Sequence, residues 1–140
     1  MILDIQIHPM IVHFPIAFGY LALFFEILSL LKPDKSNFKE ISYYLTLFAT
    51  IGAILSLLSG FFLTKKLEFG KLNEIIETHE MWALITTVSL IITSILKSYI
   101  FFKHKKGKIL FISIICSLIS VIAITITGHF GGMLVFYYLK

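Results

Sequence analysis

The sequence predicts an all-α integral membrane protein, a four-helix bundle with up-down-up-down topology. Of its 140 residues, 58% are hydrophobic and only 14% are charged, whereas a soluble domain carries about a quarter charged residues. A chain of this length has too small an interior to bury so many apolar side chains in water. The composition therefore excludes a soluble enzyme and a disordered chain. With Cys116 as the only cysteine, it also excludes a disulfide scaffold.

Four long apolar runs predict the membrane-spanning helices, because a span needs about 20 mostly apolar residues. The runs place the spans at residues 11–31, 42–63, 78–101 and 109–130. The connections between them are short, which favours antiparallel neighbours. Residues 1–140 then form one membrane domain, and no cleavable signal peptide is expected, because the N-terminus lacks a basic region.

The distribution of lysine predicts the orientation of the bundle in the membrane. All twelve basic residues are lysines, and most lie in the connections and near the span ends, so the net charge of +4 indicates topology and not nucleic-acid binding. Eight lysines belong to the side of the first and third connections: Lys32, Lys35, Lys39, Lys97, Lys103, Lys105, Lys106 and Lys108. The opposite side has four: Lys65, Lys66, Lys71 and Lys140. The positive-inside rule then predicts a protein of the cytoplasmic (inner) membrane, with the eight-lysine side in the cytoplasm and both termini outside.

Two features within the spans have structural explanations. Small residues on one face of the second span (Ala49, Gly52, Ala53, Ser56, Ser59 and Gly60) predict close helix packing.

Glu26 is the one acid inside a span, and Lys97 lies near the end of the third. For Lys97 we expect the side chain to reach the membrane interface. For Glu26 we expect that the side chain also reaches the interface or bonds to a hydroxyl such as that of Ser56. A role in proton handling is the less favoured alternative.

Four histidines provide the main functional signal. The predicted topology brings His8, His13, His79 and His129, from three helices, to one membrane face. His104 lies in the lysine-rich connection on the other side. A single histidine at a helix end is often only an interfacial side chain, but four at one depth indicate a site, because ionisable groups inside membranes usually serve a function.

A b-type haem fits these histidines best, because haem iron takes one or two neutral imidazoles from facing helices. His13 and His79 are the first candidates for the axial pair. His129 and His8 form a second pair or support the first. Gly128, Gly131 and Gly132 would let a flat macrocycle approach the backbone beside His129, with aromatic walls from Phe14, Phe18, Trp82 and Phe130.

A bare zinc or copper ion held by His13, His79 and His129 is the alternative, with Glu77 and Glu80 beside His79 as possible carboxylate ligands. His8 and His13 are five residues apart, about 140° around a regular helix, which disfavours joint binding of one ion. Histidines that serve only to order the helix ends are the remaining possibility.

The opening segment His8-Pro9-Met10-Ile11-Val12-His13-Phe14-Pro15-Ile16-Ala17 resembles that of a bacterial family of four-span membrane proteins, a domain of unknown function. The resemblance extends to Gly60, to His79 and to the C-terminal segment from Gly131 to Phe136, where relatives have tyrosine in place of Phe136. Some relatives are fused to c-type cytochromes. These relatives carry a histidine before the glycine pair, as this chain carries His129 before Gly131 and Gly132. The resemblance implies redox work at the outer face of the membrane.

The expected function is electron transfer by a bis-histidine haem b, between a membrane donor such as a quinol and an outer acceptor such as a c-type cytochrome. The alternative is a non-redox accessory membrane protein with a histidine-bound ion or with structural histidines.

Overall fold

The computed structural model describes residues 2–32, 37–64, 72–103 and 107–138, and within these ranges the chain is almost entirely helical. Four long helices follow one another: α1 (Ile2–Leu31), α2 (Asn37–Thr64), α3 (Asn73–Lys103) and α4 (Lys108–Tyr138). No strand occurs in these ranges. The predicted all-α four-helix architecture is confirmed.

All four helices are long and apolar enough to cross a membrane. Each extends beyond its predicted span, most of all α1, which begins at Ile2, and α4, which ends at Tyr138. The 30 residues of α1 measure about 45 Å at about 1.5 Å per residue, which exceeds the hydrocarbon thickness of about 30 Å. The apolar runs mark the part of a helix that lies in lipid, so they underestimate the length of the helix itself.

The bundle consists of two helical hairpins. α1 packs extensively against α2, and α3 against α4, while the contacts of α2 with α3 and of α1 with α4 are less extensive. We call α1 and α2 the first hairpin, and α3 and α4 the second hairpin. Because the four helices form a closed ring in this order, α1 and α3 lie diagonally opposite each other.

Small residues bring α1 and α2 together, as the pattern on the second span predicts. Ala49 and Ala53 are buried. A methyl group added at Gly52 would lie 2.9 Å from Cδ of Pro15, so the two backbones are in close contact there. Pro9 and Pro15 are both included in the continuous helix α1, although proline removes a backbone hydrogen bond.

The interior of the bundle is more polar than its surface. The small apolar core consists of Ala49, Ala53, Leu90 and Ile124. Large apolar side chains such as Phe62 and Ile95 are exposed. The buried hydroxyl residues are Ser29, Ser42, Thr46, Thr50, Thr86, Thr87, Thr93, Ser94, Ser113, Ser117 and Ser120. This distribution suits a protein whose outer surface is solvated by lipid and whose polar groups satisfy one another inside.

Candidate functional site

Two imidazoles from diagonal helices meet inside the bundle. The rings of His8 on α1 and His79 on α3 have centroids 6.4 Å apart and planes at 88°. Both side chains are half-buried. Because α1 and α3 do not lie side by side, a contact between their side chains places this imidazole pair on the bundle axis. We call this end of the bundle the histidine end.

The hydrogen bonds of His8 fix its tautomer. Its Nδ1 lies 2.8 Å from Oγ of Ser59 on α2. The Ser59 hydroxyl donates its own hydrogen to the carbonyl of Ser56 at 3.0 Å, so it accepts from the His8 Nδ1–H. In the neutral ring this leaves the lone pair of Nε2 for another partner.

His79 has the same arrangement within the second hairpin. Its Nδ1 lies 3.1 Å from the carbonyl oxygen of Thr127 on α4. Since a carbonyl only accepts, Nδ1 carries the hydrogen, and Nε2 of the neutral ring keeps its lone pair. The Thr127 side chain is itself held by Thr86 of α3, with the two hydroxyl oxygens 2.8 Å apart. This hydroxyl pair fixes α4 against α3 at the level of the imidazole.

A glycine lies against each imidazole. A methyl group added at Gly60 of α2 would be 3.1 Å from Cε1 of His8, and one added at Gly131 of α4 would be 3.2 Å from Cε1 of His79. Each hairpin therefore presents one imidazole from its first helix, with the Nδ1 partner and the adjacent glycine supplied by its second helix. This repeated arrangement is typical of ligand histidines, whose second nitrogen usually donates to a neighbouring oxygen.

The other candidate histidines lie elsewhere. His13 is exposed on α1 and its Nδ1 is hydrogen-bonded to the carbonyl of Pro9. His129 is exposed on α4, with its ring 5.6 Å from that of Phe130. His79 thus meets His8 and not His13, its expected axial partner. His104 lies outside the described residues.

The three-histidine ion site has no geometric support in the described part of the chain. There, no three side chains of histidine, cysteine, aspartate or glutamate are placed to hold one metal ion. Glu80, beside His79, is exposed. An ion at the His8–His79 pair would have two imidazole ligands from these ranges.

The glycines and aromatic residues expected to form a slot are distributed differently. Gly131 contacts His79, but a methyl group at Gly128 would meet only Ile16, and one at Gly132 would meet nothing within 4 Å. Phe14 is exposed, and its ring lies 5.9 Å from that of Phe18.

A second polar centre occupies the opposite end of the bundle. Oε2 of Glu26 on α1 and Nζ of Lys97 on α3 lie 3.0 Å apart in an ion pair, and both side chains are at least nine-tenths buried. The interpretation that these side chains reach the interface, or that Glu26 bonds to Ser56, was wrong. Eighteen residues separate His8 from Glu26 along α1, about 27 Å at the helical rise. We call this end the ion-pair end.

Hydroxyl groups from α2 and α4 complete the ion pair. Lys97 Nζ donates to Oγ of Ser42 at 2.9 Å and to Oγ1 of Thr46 at 3.0 Å. Ser113 Oγ donates to Oε1 of Glu26 at 3.3 Å. All four helices thus contribute to this centre. The signal in the sequence was the spacing of Leu90, Thr93, Ser94 and Lys97, which places Lys97 on the buried face of α3.

Comparison with known proteins gives a family but no characterised relative. Residues 4–139 match the family described as "Predicted membrane protein (DUF2231)". Searches of curated proteins and of solved structures found no match.

Proposed function

The chain belongs to the DUF2231 family of predicted membrane proteins, and we propose that within the membrane it binds a b-type haem between His8 and His79 and transfers electrons. The observation that carries this proposal is the repeated arrangement of the two hairpins. Each directs one imidazole, held at Nδ1 by its own second helix, to the same point on the bundle axis.

The separation of the rings supports shared ligation of one metal. Two imidazoles on opposite sides of an ion have centroids about 6 Å apart, given metal–nitrogen bonds of about 2 Å and a centroid about 1 Å behind each nitrogen. The observed distance is 6.4 Å. Neither ring needs a new tautomer, because both Nδ1 atoms already donate to oxygen acceptors.

The architecture favours a planar group over a bare ion. The described ranges supply two imidazoles and no third metal-binding side chain at this point, whereas haem iron takes four of its ligands from the macrocycle and needs one or two from the protein. The hairpins pack less extensively against each other than the helices within each hairpin, so a flat ring between His8 and His79 would separate the two hairpins and leave each of them intact. Gly60 and Gly131 keep the imidazoles free of neighbouring side chains on their Cε1 edges.

Haem supplies one-electron chemistry, and the residues of this chain determine how it is used. His8 and His79 would together hold the iron, which would leave no site for oxygen and would favour electron transfer. Ser59 and the Thr127 carbonyl would hold the imidazoles in the neutral, ligating form. The cluster of Ala49, Ala53, Leu90 and Ile124, with the hydrogen-bonded hydroxyls of Thr50 and Ser94 beside it, lies between the pair and the ion-pair end.

The placement of the site indicates its partners. Because Lys97 is paired with Glu26 inside the bundle, it does not count as an interfacial lysine. Seven lysines then remain on the side of the first and third connections against four on the opposite side, so the predicted orientation is unchanged. The histidine end then faces outward from a bacterial inner membrane. A quinol in the bilayer is a suitable donor, and a c-type cytochrome outside the membrane a suitable acceptor.

The visible spectrum of the full chain, purified in detergent from haem-replete cells, tests this proposal. We expect the bands of a six-coordinate, low-spin haem, and we expect them to be lost in both His8→Ala and His79→Ala. His13→Ala is the matched control, because it removes an imidazole from the same helix on its exposed face. It should keep the spectrum.

Three results would contradict the proposal. Colourless protein with stoichiometric zinc or copper would favour the ion site, and colourless, metal-free protein would favour histidines that only order the helix ends. A haem spectrum lost in His13→Ala and kept in His8→Ala would support haem but reject the pair assigned here.

A further inference from the structure

We propose that a hydroquinone headgroup binds from the bilayer on the lipid-facing side of α1 and α4, where it donates a hydrogen bond to Nε2 of His13. The site consists of His13 and Tyr20 of α1 and Thr125, His129 and Gly132 of α4, all of them exposed. We call it the α1–α4 seam. The choice of a hydroquinone rests on the proposed function, which needs an electron donor from the membrane, but its binding does not require haem.

A hydrogen bond on the outer surface of the bundle marks the seam. Oη of Tyr20 lies 2.6 Å from Oγ1 of Thr125, across the least extensive contact between neighbouring helices of the ring. His13 is seven residues before Tyr20 and His129 is four residues after Thr125, so each histidine is within about 40° of its neighbour around its helix. Because α1 and α4 are antiparallel, both histidines lie on the same side of this bond, towards the histidine end.

Two glycines of α4 leave a recess beside His13. A methyl group at Gly128 would lie 3.8 Å from Cδ1 of Ile16, which gives the register of the two antiparallel helices. One turn further along α4, Gly132 is therefore at about the level of His13. A methyl group at Gly132 would meet nothing within 4 Å. The space between Gly132 and His13 is thus open, and Ile16 and Gly128 close it at one end.

The seam lies within the hydrocarbon layer. His13 is about 5 Å along α1 from the middle of the helix (Ile2–Leu31), and His129 is about 9 Å from the middle of α4 (Lys108–Tyr138). Both distances are smaller than half the hydrocarbon thickness, about 15 Å. Polar groups are costly at this depth unless they are paired. Since both rings are exposed, a partner reaches them from the bilayer.

The described hydrogen bonds leave the seam with acceptors. The Nδ1–H of His13 donates to the Pro9 carbonyl, so Nε2 of the neutral ring keeps its lone pair. The Thr125 hydroxyl donates to the Val121 carbonyl at 2.7 Å and therefore accepts from Tyr20. The Tyr20 oxygen can still accept a hydrogen bond. These groups favour a ligand that carries O–H donors.

A hydroquinone has this chemistry. It is flat, dissolves in the bilayer and carries two hydroxyl groups at opposite ends of one ring. One hydroxyl donates to His13 Nε2, and the other has acceptors in the Tyr20 oxygen and in the one unprotonated nitrogen of a neutral His129 ring. The oxidised quinone has carbonyls in place of both donors, so the seam selects the reduced form. His8 is only five residues from His13, about 7.5 Å along α1.

Calorimetric titration of the full chain in lipid nanodiscs tests the proposal, with decylubiquinol added under anaerobic conditions and empty nanodiscs as the reference. We expect saturable binding that is about tenfold weaker in His13→Ala, because one hydrogen bond is lost. We also expect decylubiquinone to bind about tenfold more weakly than decylubiquinol.

Met10→Ala is the matched control, because it removes an exposed apolar side chain from the same helix. It should bind decylubiquinol as the wild type does. Equal affinity of the wild type and His13→Ala for decylubiquinol would overturn the proposal. Equal affinity of the wild type for decylubiquinone and decylubiquinol would overturn the selection of the reduced form.

Gly132→Leu tests the recess without removing a hydrogen-bonding group. The larger side chain fills the space beside His13 and should weaken the binding of decylubiquinol about tenfold, as an overpacked site does. Ile122→Phe adds bulk at another exposed position of α4 and should leave the binding unchanged. Wild-type affinity in Gly132→Leu would overturn the role of the recess.

The visible spectrum and the titration together separate this proposal from the proposed function. Colourless protein that binds decylubiquinol through His13 would reject haem and support the seam, whereas a haem spectrum without decylubiquinol binding would support haem and reject the seam. Analytical ultracentrifugation tests a second copy of the chain as the occupant. A dimer that dissociates in His13→Ala, together with no binding of decylubiquinol, would overturn the proposal and make the seam an interface between copies.

Discussion

His8 and His13 have the same side chain on the same helix, yet their surroundings give them different chemistry. The Nδ1 of His8 donates across the hairpin to Ser59, and the half-buried ring lies beside that of His79. The Nδ1 of His13 is bonded one turn back on its own helix, to Pro9, and the ring stays exposed. A hydrogen bond to another helix therefore distinguishes the histidine inside the bundle from the exposed one here.

Gly131 and Gly132 offer a test of the imidazole site at the scale of one methyl group. In Gly131→Ala the new methyl would lie 3.2 Å from Cε1 of His79, so the ring must move by a few tenths of an ångström. If haem binds as proposed, we expect shifted Soret and α/β bands and weaker haem retention. In Gly132→Ala the methyl meets nothing within 4 Å, and the spectrum should stay as in the wild type. Identical spectra for both variants would contradict the close approach of Gly131.

The Glu26–Lys97 pair should behave as a coupled unit in stability measurements. Glu26→Gln or Lys97→Met alone leaves one buried charge without its partner, and each should lower the free energy of unfolding by about 3–5 kcal/mol. The double variant Glu26→Gln/Lys97→Met removes both charges and should be less destabilised than the sum of the single variants. Unfolding in mixed detergent micelles measures the free energy of unfolding of the two single variants and of the double variant. Additive effects would show that the two side chains do not interact.

At the scale of the helices, the small-residue face of α2 determines how closely the first hairpin packs. Gly52→Ala would place a methyl 2.9 Å from Cδ of Pro15 and 3.2 Å from the Pro15 backbone nitrogen. The ring and backbone of proline cannot move aside, so α1 and α2 must separate. We expect a loss of about 1–3 kcal/mol, the usual cost of overpacking.

Gly128→Ala is the matched control for this prediction. Its methyl would lie 3.8 Å from Cδ1 of Ile16, an ordinary contact. Thermal unfolding in detergent, followed by circular dichroism, should show Gly52→Ala to be much less stable than Gly128→Ala. Equal midpoints would mean that the hairpin is not held by this contact.

Helix number, order and approximate position could be predicted from the sequence, because lipid imposes a minimum apolar length on every span. The inward-facing residues of α1 could not be predicted. A soluble helix shows its buried face by apolar periodicity, but in lipid both faces are apolar. His8 and His13 are about 140° apart on a helix, so only one of them can face the axis. Apolar residues around both gave no indication of which.

The interior of the whole molecule combines two polar centres, with a small apolar cluster and hydrogen-bonded hydroxyl groups between them. The imidazole pair and the ion pair each connect α1 with α3 across the bundle axis. The sequence indicated the first centre by its cluster of histidines. The second was missed because Lys97 near a span end fits an interfacial lysine equally well, and only packing shows that Ser42 and Thr46 replace water around its ammonium group.

The orientation of the whole molecule can be tested by cysteine labelling in a Cys116→Ser background. Lysines on the side of the first and third connections predict that this side faces the cytoplasm. A cysteine introduced by Lys105→Cys should be protected from a membrane-impermeant thiol reagent in intact cells, and one introduced by Asn73→Cys should be labelled. The reverse pattern would invert the orientation and place the histidine end inside.

The two hairpins bring His8 and His79, and not His13, to one point on the bundle axis. Cross-linking in native membranes tests it most directly, with His8→Cys/His79→Cys and His13→Cys/His79→Cys double variants in the Cys116→Ser background and a short bifunctional thiol reagent. We expect an intramolecular cross-link for the first double variant and none for the second. Efficient cross-linking of positions 13 and 79, with none between positions 8 and 79, would contradict it.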